Sequence, residues 1–317
     1  MPALSQTRAY VALFLIATLW GTFPATAKLA LEYFPPVFLT AVRCVIASSF
    51  LVVLLLRSGA ETVRELGAGS IRAFFILGFC GLFISTQISY FGIYHTTAAN
   101  AAILQTVAPV LVAVAARIYL ADRLRPLQKA GAALSMLGVL VVVTDGRLWS
   151  LRLEDLRLGD FLTIFALCGW AAYTVYGKRV LLTHSPALTT TAAYICGTIM
   201  LVPLAAATTP LFPMPRLGAG VAWVVVFYQA LLGAVAHIWW YRAVQVVGPS
   251  RSAVFMNVTP IVGVVLAAVL LGEPIDVWHV AGAALVLAGV ALTTRGGSGA
   301  RGGAASPDPS RRINLAS

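Results

Sequence analysis

One histidine lies deep inside an apolar stretch of this chain, and helical spacing relates it to three neighbours. Gln229, Gly233 and Tyr241 lie at intervals of four residues on either side of His237, which places all four on one face of an α-helix. An imidazole titrates near neutral pH, so His237 is the candidate residue for moving a proton. A histidine hydrogen-bonded within a helical core fits the same pattern, and the sequence leaves both interpretations open.

A lone cation lies inside a second apolar run. Arg43 is surrounded by apolar and small residues, and a charge within a bilayer is costly enough to be a functional hypothesis by default. Its guanidinium suits an anionic group of a bound small molecule. It also suits backbone carbonyls together with Glu32 near the outer surface, and the sequence does not decide between the two.

Amides and hydroxyls cluster beside two prolines, Pro109 and Pro260, within two further apolar runs. A proline inside a helix removes a backbone hydrogen bond and frees a carbonyl one turn earlier. In a membrane that carbonyl must find a partner or line a cavity. Kinking alone explains the prolines, whereas the neighbouring amides also suit the binding of amino and carboxyl groups.

Aromatic residues complete the set. An aromatic wall favours apolar groups by stacking and cations through the ring face, although tyrosines also belong to the belts at membrane surfaces. The candidate cavity residues are Trp20, Gln87, Tyr90, Gln105, Thr106, Pro109, Gln229, His237, Tyr241, Asn257, Thr259 and Pro260.

The elements that must position these residues are transmembrane helices. The chain is 60% hydrophobic and only 10% charged, against about 25% charged residues in a soluble domain. Its apolar runs are long enough to span a bilayer, and they lack the two-residue alternation of a membrane barrel. The predicted spans are 10–30, 36–56, 71–93, 97–118, 126–144, 159–177, 187–207, 220–241, 250–271 and 277–294. The predicted fold class is an all-α membrane protein with ten transmembrane helices.

The chain also repeats itself. A shift of 151 residues brings like residues together: Lys28 and Arg179, Pro35 and Pro186, Tyr90 and Tyr241, Pro109 and Pro260, Asp122 and Glu273, Gly131 and Gly282, Gly138 and Gly289. Each copy holds five predicted spans, and an odd number turns the second copy upside down in the bilayer. The sequence therefore predicts two inverted five-helix repeats, with a substrate site near the midplane between them.

The distribution of charge predicts the topology. Of the 22 Lys and Arg residues, Arg43 lies within a span, and the outer side holds only Lys28, Arg147, Arg152, Arg157 and Arg216. The remaining basic residues fall on the inner side, so the positive-inside rule places both termini in the cytoplasm. The predicted segments are a cytoplasmic N-terminus (1–9), a first repeat (10–145), an external linker (146–158), a second repeat (159–295) and a flexible cytoplasmic tail (296–317).

Several motifs together resemble one protein family. The segment from Trp20 to Lys28 reads WGTFPATAK, and Arg43, Pro109, Asp122 and Gly131 follow it in order. The second copy repeats the pattern with Trp170, Arg179, Pro260, Glu273 and Gly282. In these residues the chain resembles the EamA-type branch of the drug/metabolite transporter superfamily. The resemblance implies ten helices in two inverted repeats, and export of small metabolites, often amino acids.

The chain departs from that family pattern at two positions. Tyr194 stands where the second copy would match Arg43, so only the first copy has a cation within the membrane. Asp122 stands where glutamate is commoner, which keeps the charge but shortens its reach.

The sequence favours transport of small amphipathic metabolites, with amino acids as the expected class. A carrier of phosphorylated sugars or nucleotide-sugars would need two or more cations in the cavity, and a drug efflux carrier is a further alternative. The four histidines are scattered and form no catalytic or metal-binding pattern, which argues against a membrane enzyme. No cofactor or metal is expected.

The expected partners are a small-molecule substrate and the lipid bilayer of a bacterial inner membrane. Nucleic acid is excluded because the basic residues lie between spans rather than along one face. Spans five and ten carry small residues that favour close helix packing, either within the chain or in a homodimer.

Overall fold

The computed structural model describes residues 5–57, 67–120, 126–143, 146, 158–272 and 275–295. Throughout this part of the chain the secondary structure is helical, without strands. The α-helices are α1 (Gln6–Gly21), α2 (Phe23–Leu31), α3 (Pro36–Arg57), α4 (Ala68–Gly78), α5 (Ile88–His95), α6 (Ala98–Leu104), α7 (Ala108–Tyr119), α8 (Pro126–Val143), α9 (Leu158–Val180), α10 (Pro186–Thr208), α11 (Gly220–Val247), α12 (Pro249–Val254), α13 (Thr259–Leu271) and α14 (Val277–Arg295). A π-helix (Phe79–Gln87) joins α4 to α5, and short 3₁₀ segments join or follow other helices.

Seven helical segments of the described chain are long and apolar enough to cross a membrane. They are Gln6–Leu31, Pro36–Arg57, Ala68–His95, Leu158–Val180, Pro186–Leu211, Gly220–Val247 and Pro249–Leu271. The other predicted spans, 97–118, 126–144 and 277–294, also fall on helices. Among those helices, Ala108–Tyr119 and Val280–Gly289 form shorter apolar segments. The chain is therefore an all-helical, multi-pass membrane protein.

Local sequence explains where several helices begin. Proline is favoured in the first turn because its missing N–H needs no partner there, and it opens α3, α8, α10 and α12. The Ser185 hydroxyl caps α10 by accepting from the backbone N–H of Leu188 at 3.3 Å. At the start of the chain, Ser5 caps α1, so this helix begins at Gln6 rather than at the predicted residue 10.

Two of the predicted spans are interrupted at matching positions. A 3₁₀ segment, Gln105–Val107, separates α6 from α7, and another, Phe255–Val258, separates α12 from α13. Pro109 and Pro260 are the second residues of the helices that follow. Each proline leaves the carbonyl four residues earlier without its usual donor. The backbone N–H of Ala108 bonds to the first of these carbonyls, that of Gln105, so the chain itself accommodates the break.

A π-helix interrupts a third span, and only in the first half of the described chain. The side chain of Thr86 donates to the carbonyl of Gly81, five residues earlier, at 2.9 Å. The matching part of the second half belongs to the uninterrupted helix α11. Short π-helical stretches occur frequently at functional sites.

The small residues predicted to favour helix packing meet inside the chain. A Cβ atom added at Gly289 of α14 would lie 2.7 Å from the backbone nitrogen of Ser135 in α8, and it would also collide with the carbonyl of Gly131. Helices α8 and α14 therefore pack so closely at Gly289 that a larger residue would collide with the neighbouring backbone. Homodimer formation remains a prediction.

Two lysines cap the ends of two helices in corresponding ways. Lys28 Nζ donates to the carbonyl of Ile93 at 2.9 Å, and Lys178 Nζ donates to the carbonyl of Val244 at 3.1 Å. Ile93 and Val244 are 151 residues apart, whereas the two lysines are 150 residues apart. Lys28 thus corresponds to Lys178, not to Arg179, and the repeat shifts by one residue between Lys28 and Pro35. Asp122 and Glu273 lie outside the described residues, as do nearly all of the predicted linker and the whole tail.

Candidate functional site

A cavity of about 110 Å³ lies where both halves of the chain meet. Its walls come from α1, α2, α3, the π-helix, α5, α9 and α11, and from both 3₁₀ breaks. The lining residues are Trp20, Phe23, Pro24, Ala27, Arg43, Ser85, Thr86, Ser89, Tyr90, Ile93, Gln105, Leu167, Trp170, His237 and Met256. Most of these side chains are apolar or aromatic, and Arg43 is the only cation among them besides the titratable His237.

Aromatic rings form one side of the cavity. Trp20 and Trp170 meet edge to face, with ring centroids 5.1 Å apart and planes at 89°. The ring of His237 lies 5.1 Å from that of Trp20 and 5.8 Å from that of Trp170. Trp240 closes the cluster at 5.4 Å from Trp20. Aromatic side chains of both halves therefore enclose the imidazole.

Hydrogen bonds define the orientation of His237. Its Nδ1 lies 2.8 Å from the carbonyl oxygen of Gly233, which can only accept, and 3.2 Å from the hydroxyl of Tyr194. The proton of a neutral ring therefore resides on Nδ1, and Nε2 carries the lone pair. Nε2 has no hydrogen-bond partner among the described residues, so it remains available as an acceptor.

A chain of hydrogen bonds holds Arg43 at the wall of the cavity. Arg43 is 3% exposed, and its Nη1 donates to the hydroxyl of Tyr90 at 2.9 Å. That hydroxyl in turn donates to Oε1 of Gln229. The amide nitrogen of Gln229 donates to the carbonyl of Phe23 at 3.2 Å and to the Thr26 hydroxyl at 2.8 Å. Residues of four spans thus fix one guanidinium.

Arg43 has no carboxylate partner in the part of the chain that the structure describes. This part contains three acidic residues. Glu32 is exposed, Asp160 accepts from the Thr96 hydroxyl at 2.8 Å, and Asp276 accepts from the backbone of Trp278. The alternative partner considered for Arg43, Glu32, therefore does not take that role. The guanidinium contacts the rings of Phe23 and Tyr90 instead, at 6.0 and 5.6 Å from their centroids.

A second cavity, of about 430 Å³, differs in character. Its lining includes Cys80, Leu111, Val114, Ile118 and Tyr176 and is almost wholly apolar. Val114 and Ile118 are 53% and 71% exposed on the helix surface. Such a groove on the outer face of a membrane protein suits lipid chains, so the smaller, polar and aromatic cavity is the candidate functional site.

The structure brings some of the predicted residues to that cavity and leaves others elsewhere. Trp20, Arg43, Tyr90, Gln105 and His237 line it, and Gln229 lies behind the wall through its bond to Tyr90. The buried residues that do not line it are Gln87, Pro109, Tyr241, Asn257, Thr259 and Pro260. The side chain of Thr106 lies outside the described residues.

The residues away from the cavity have structural surroundings. Tyr241 stacks on Tyr173 with centroids 4.9 Å apart and donates to its carbonyl at 3.1 Å. The Thr259 hydroxyl donates to the carbonyl of Ala17 at 3.3 Å. Gln87 is buried with neither amide atom hydrogen-bonded, and Oδ1 of Asn257 is likewise buried without a partner.

Several cavity residues were not among the candidates drawn from the sequence. Phe23, Leu167 and Met256 carry no polar group that would have drawn attention to them. The internal repeat could nevertheless have pointed to Trp170 and Phe23. At the 150-residue shift that pairs the lysines, Trp170 corresponds to Trp20 and Tyr173 to Phe23, so a duplicated aromatic pair marks this wall.

Comparison with known proteins identifies the family. The EamA-like transporter family matches residues 7–144 and again residues 157–295. An uncharacterized transporter of Bacillus subtilis, YyaM, is 27% identical, over 85% of this chain and 88% of its own. A solved crystal structure covers 92% of this chain and 99% of its own, with a TM-score of 0.71 at 21% identity. That likeness concerns the fold alone.

Two further relatives have names that include a transported compound. A probable terminal-alkyne amino-acid exporter of Streptantibioticus cattleyicolor is 26% identical, over 95% of this chain and 98% of its own. A probable amino-acid metabolite efflux pump of Salmonella typhimurium is also 26% identical, over 92% of this chain and 96% of its own.

Proposed function

The chain belongs to the EamA-like transporter family, and from that premise we propose that it exports amino acids or closely similar amphipathic metabolites. Like the relatives that it matches, it is a membrane transporter and not an enzyme. Its proposed location is the inner membrane of a bacterium. The observation that carries the proposal is the cavity between the halves, in which a buried guanidinium faces aromatic rings.

The chemistry of this cavity matches the groups of an amino acid. A guanidinium binds a carboxylate through charge-assisted hydrogen bonds. Ring faces attract an ammonium group and also stack against an apolar side chain. Nε2 of His237 can accept a hydrogen bond from the same ammonium. The two relatives named for amino acids support this substrate class.

The size of the cavity implies movement during transport. Its volume is about 110 Å³, somewhat less than the cavity of about 150 Å³ that holds benzene in an engineered protein. A whole amino acid with a large side chain therefore requires the walls to separate. Alternating access, in which the two halves move about a shared site, supplies that separation.

The proposed architecture is ten transmembrane helices in two inverted five-helix repeats, with both termini in the cytoplasm. The repeats are residues 10–145 and 159–295. Support comes from the duplicated family match, from the matching 3₁₀ breaks, and from the corresponding lysine caps. Inverted repeats place the site near the bilayer midplane, at the interface between them.

Liposomes containing the purified protein test the proposed function. We expect saturable uptake of radiolabelled phenylalanine or threonine, with each compound competing with the other, and no such uptake by protein-free liposomes. Trans-stimulation, in which unlabelled amino acid loaded inside accelerates uptake, would support a carrier mechanism. Lack of flux for a full amino-acid panel by correctly folded protein would refute amino-acid transport.

A further inference from the structure

We infer that Arg43 is the centre of an anion-binding subsite in the cavity and that it selects substrates by a single carboxylate. The inference rests on the proposed function and deepens it, because it assigns one substrate group to one residue. The proposed subsite consists of the Arg43 guanidinium, which is bonded to the Tyr90 hydroxyl, together with the indole N–H groups of Trp20 and Trp170, which belong to the same cavity lining.

The first support is the incomplete pairing of the guanidinium. A guanidinium has five N–H donors. Arg43 bonds to Tyr90 at 2.9 Å, and the hydroxyl of Tyr194 also interacts with the guanidinium. Nε of Arg43 is buried without a hydrogen-bond partner. The protein therefore leaves donor capacity on a buried cation that lines the cavity.

The second support is the surplus of donors around the same cavity. The indole nitrogens of Trp20 and Trp170 are also buried without a partner, and both residues line the cavity. Unpaired buried N–H groups are rare because each costs free energy. An occupant rich in acceptors, such as a carboxylate, would satisfy donors that the protein leaves unpaired.

The third support is the electrostatic imbalance. A buried charge is normally paired, yet none of the three described acidic residues contacts Arg43. The hydrogen bonds through Tyr90 and Gln229 hold the guanidinium in place. Arg43 therefore cannot readily turn towards a carboxylate elsewhere in the protein. An incoming carboxylate would supply the missing opposite charge.

The number of cations limits the kind of anion. Arg43 is the only arginine or lysine among the described residues that line the cavity. A phosphate ester carries nearly two negative charges at neutral pH, and a single guanidinium neutralises only one. The composition of the subsite therefore favours a monocarboxylate over a phosphorylated sugar.

Ligand binding to the purified full-length protein tests the subsite. Trp20 and Trp170 line the cavity, so tryptophan fluorescence reports occupancy. We would titrate phenylalanine, 3-phenylpropionate, phenylalaninamide and phenethylamine, which vary the carboxylate and the amine separately. We expect both acids to bind at least about tenfold more tightly than the amide or the amine, as expected for one charge-assisted hydrogen bond.

Variants test which residue causes the preference. We expect Arg43→Gln to abolish the preference for acids and Arg43→Lys to retain part of it, since lysine keeps the charge but loses the forked geometry. Arg242→Gln is the matched control, because Arg242 stacks on Trp239, 5.0 Å away, outside the cavity. It should leave the preference unchanged.

The outcomes separate the subsite from the proposed function. Equal affinity of wild-type protein for the acid and the amide, or an unchanged preference in folded Arg43→Gln, would overturn the subsite even if amino acids are transported. If no amino acid is transported, the proposed function fails, while a preference for acids that depends on Arg43 would still support the subsite. Should Arg43→Gln fail to fold, the wild-type comparison of acid with amide and the Arg43→Lys variant decide the question.

Discussion

Arg43 and Tyr90 are joined by a hydrogen bond of 2.9 Å at the wall of the cavity. The tyrosine at the matching position of the second half, Tyr241, has a different role, because it stacks on Tyr173 away from the cavity. The two halves therefore have matching tyrosines, but only the tyrosine of the first half lies at the cavity. Arg43 is the only arginine or lysine among the described residues that line the cavity, so the cavity is asymmetric, and this difference allows matched experiments within one chain.

Replacing Tyr90 by phenylalanine should weaken substrate binding while preserving the fold. The change removes the hydroxyl that accepts from Arg43 and donates to Gln229, so the guanidinium loses its support. We expect the affinity for phenylalanine to fall by about tenfold, the equivalent of about 1.4 kcal/mol, as measured by tryptophan fluorescence.

Tyr241→Phe is the control for that substitution. It also removes the hydroxyl of a buried tyrosine, but this hydroxyl donates to the Tyr173 carbonyl at 3.1 Å. We expect it to affect stability but not affinity. Equal losses of affinity in both variants would mean that the hydroxyl of Tyr90 has no particular role in the site.

The lysine caps predict a stability effect. In Lys28→Met or Lys178→Met, helix-terminal carbonyls of α5 or α11 lose a charged donor. A hydrogen bond to a charged group contributes about 1.5–3 kcal/mol, so each variant should unfold at a lower temperature in detergent. Lys129→Met removes an exposed lysine and should change stability by less than about 0.5 kcal/mol. Indistinguishable melting of all three would contradict the assigned roles.

His237 predicts a response to pH. We expect an imposed pH gradient to change the rate of amino-acid uptake into liposomes, and we expect His237→Gln to lose this response while exchange without a gradient persists. His184 bonds to Ser70 at 2.9 Å, away from the cavity, so His184→Gln should behave like the wild type. A gradient response that survives in His237→Gln would exclude His237 as the coupling residue. Flux of the wild type that ignores the gradient would indicate a facilitator.

The contact between α8 and α14 predicts a steric effect at Gly289. An added Cβ would lie 2.7 Å from the backbone nitrogen of Ser135, so Gly289→Ala should destabilise the protein by about 1–3 kcal/mol. Gly69→Ala, in helix α4, meets nothing within 4 Å and should be neutral or slightly stabilising. The comparison requires thermal unfolding of both variants in one detergent. Equal stability would show that α8 and α14 pack less tightly than described.

Much of the helical layout could be predicted from the sequence because lipid leaves the backbone few alternatives. Each buried N–H needs a partner within its own segment, so long apolar runs become helices, and prolines at 36, 186 and 249 mark where three of them begin. The breaks before Pro109 and Pro260 follow from the same bonding rule. The burial of Arg43 and His237 within the protein follows from the cost of polar and charged groups in lipid.

Other features could not be predicted for physical reasons. Regular helical spacing would place Gln87 on a face with Tyr90 and Tyr94. The π-helix from Phe79 to Gln87 changes the bonding pattern and with it the direction of the side chains. Ser85, Thr86 and Ser89 line the cavity, and Gln87 does not. Met256 and Leu167 entered the wall through tertiary packing alone, which no local pattern reveals.

Uptake of labelled phenylalanine into liposomes, by wild-type protein and by Arg43→Gln at equal reconstitution, tests the central claim most directly. The account predicts saturable uptake by the wild type that 3-phenylpropionate inhibits and phenylalaninamide does not. It also predicts a reduction of at least about tenfold in folded Arg43→Gln, the loss of one charge-assisted hydrogen bond. Equal uptake by both proteins, or equal inhibition by the acid and the amide, would contradict it.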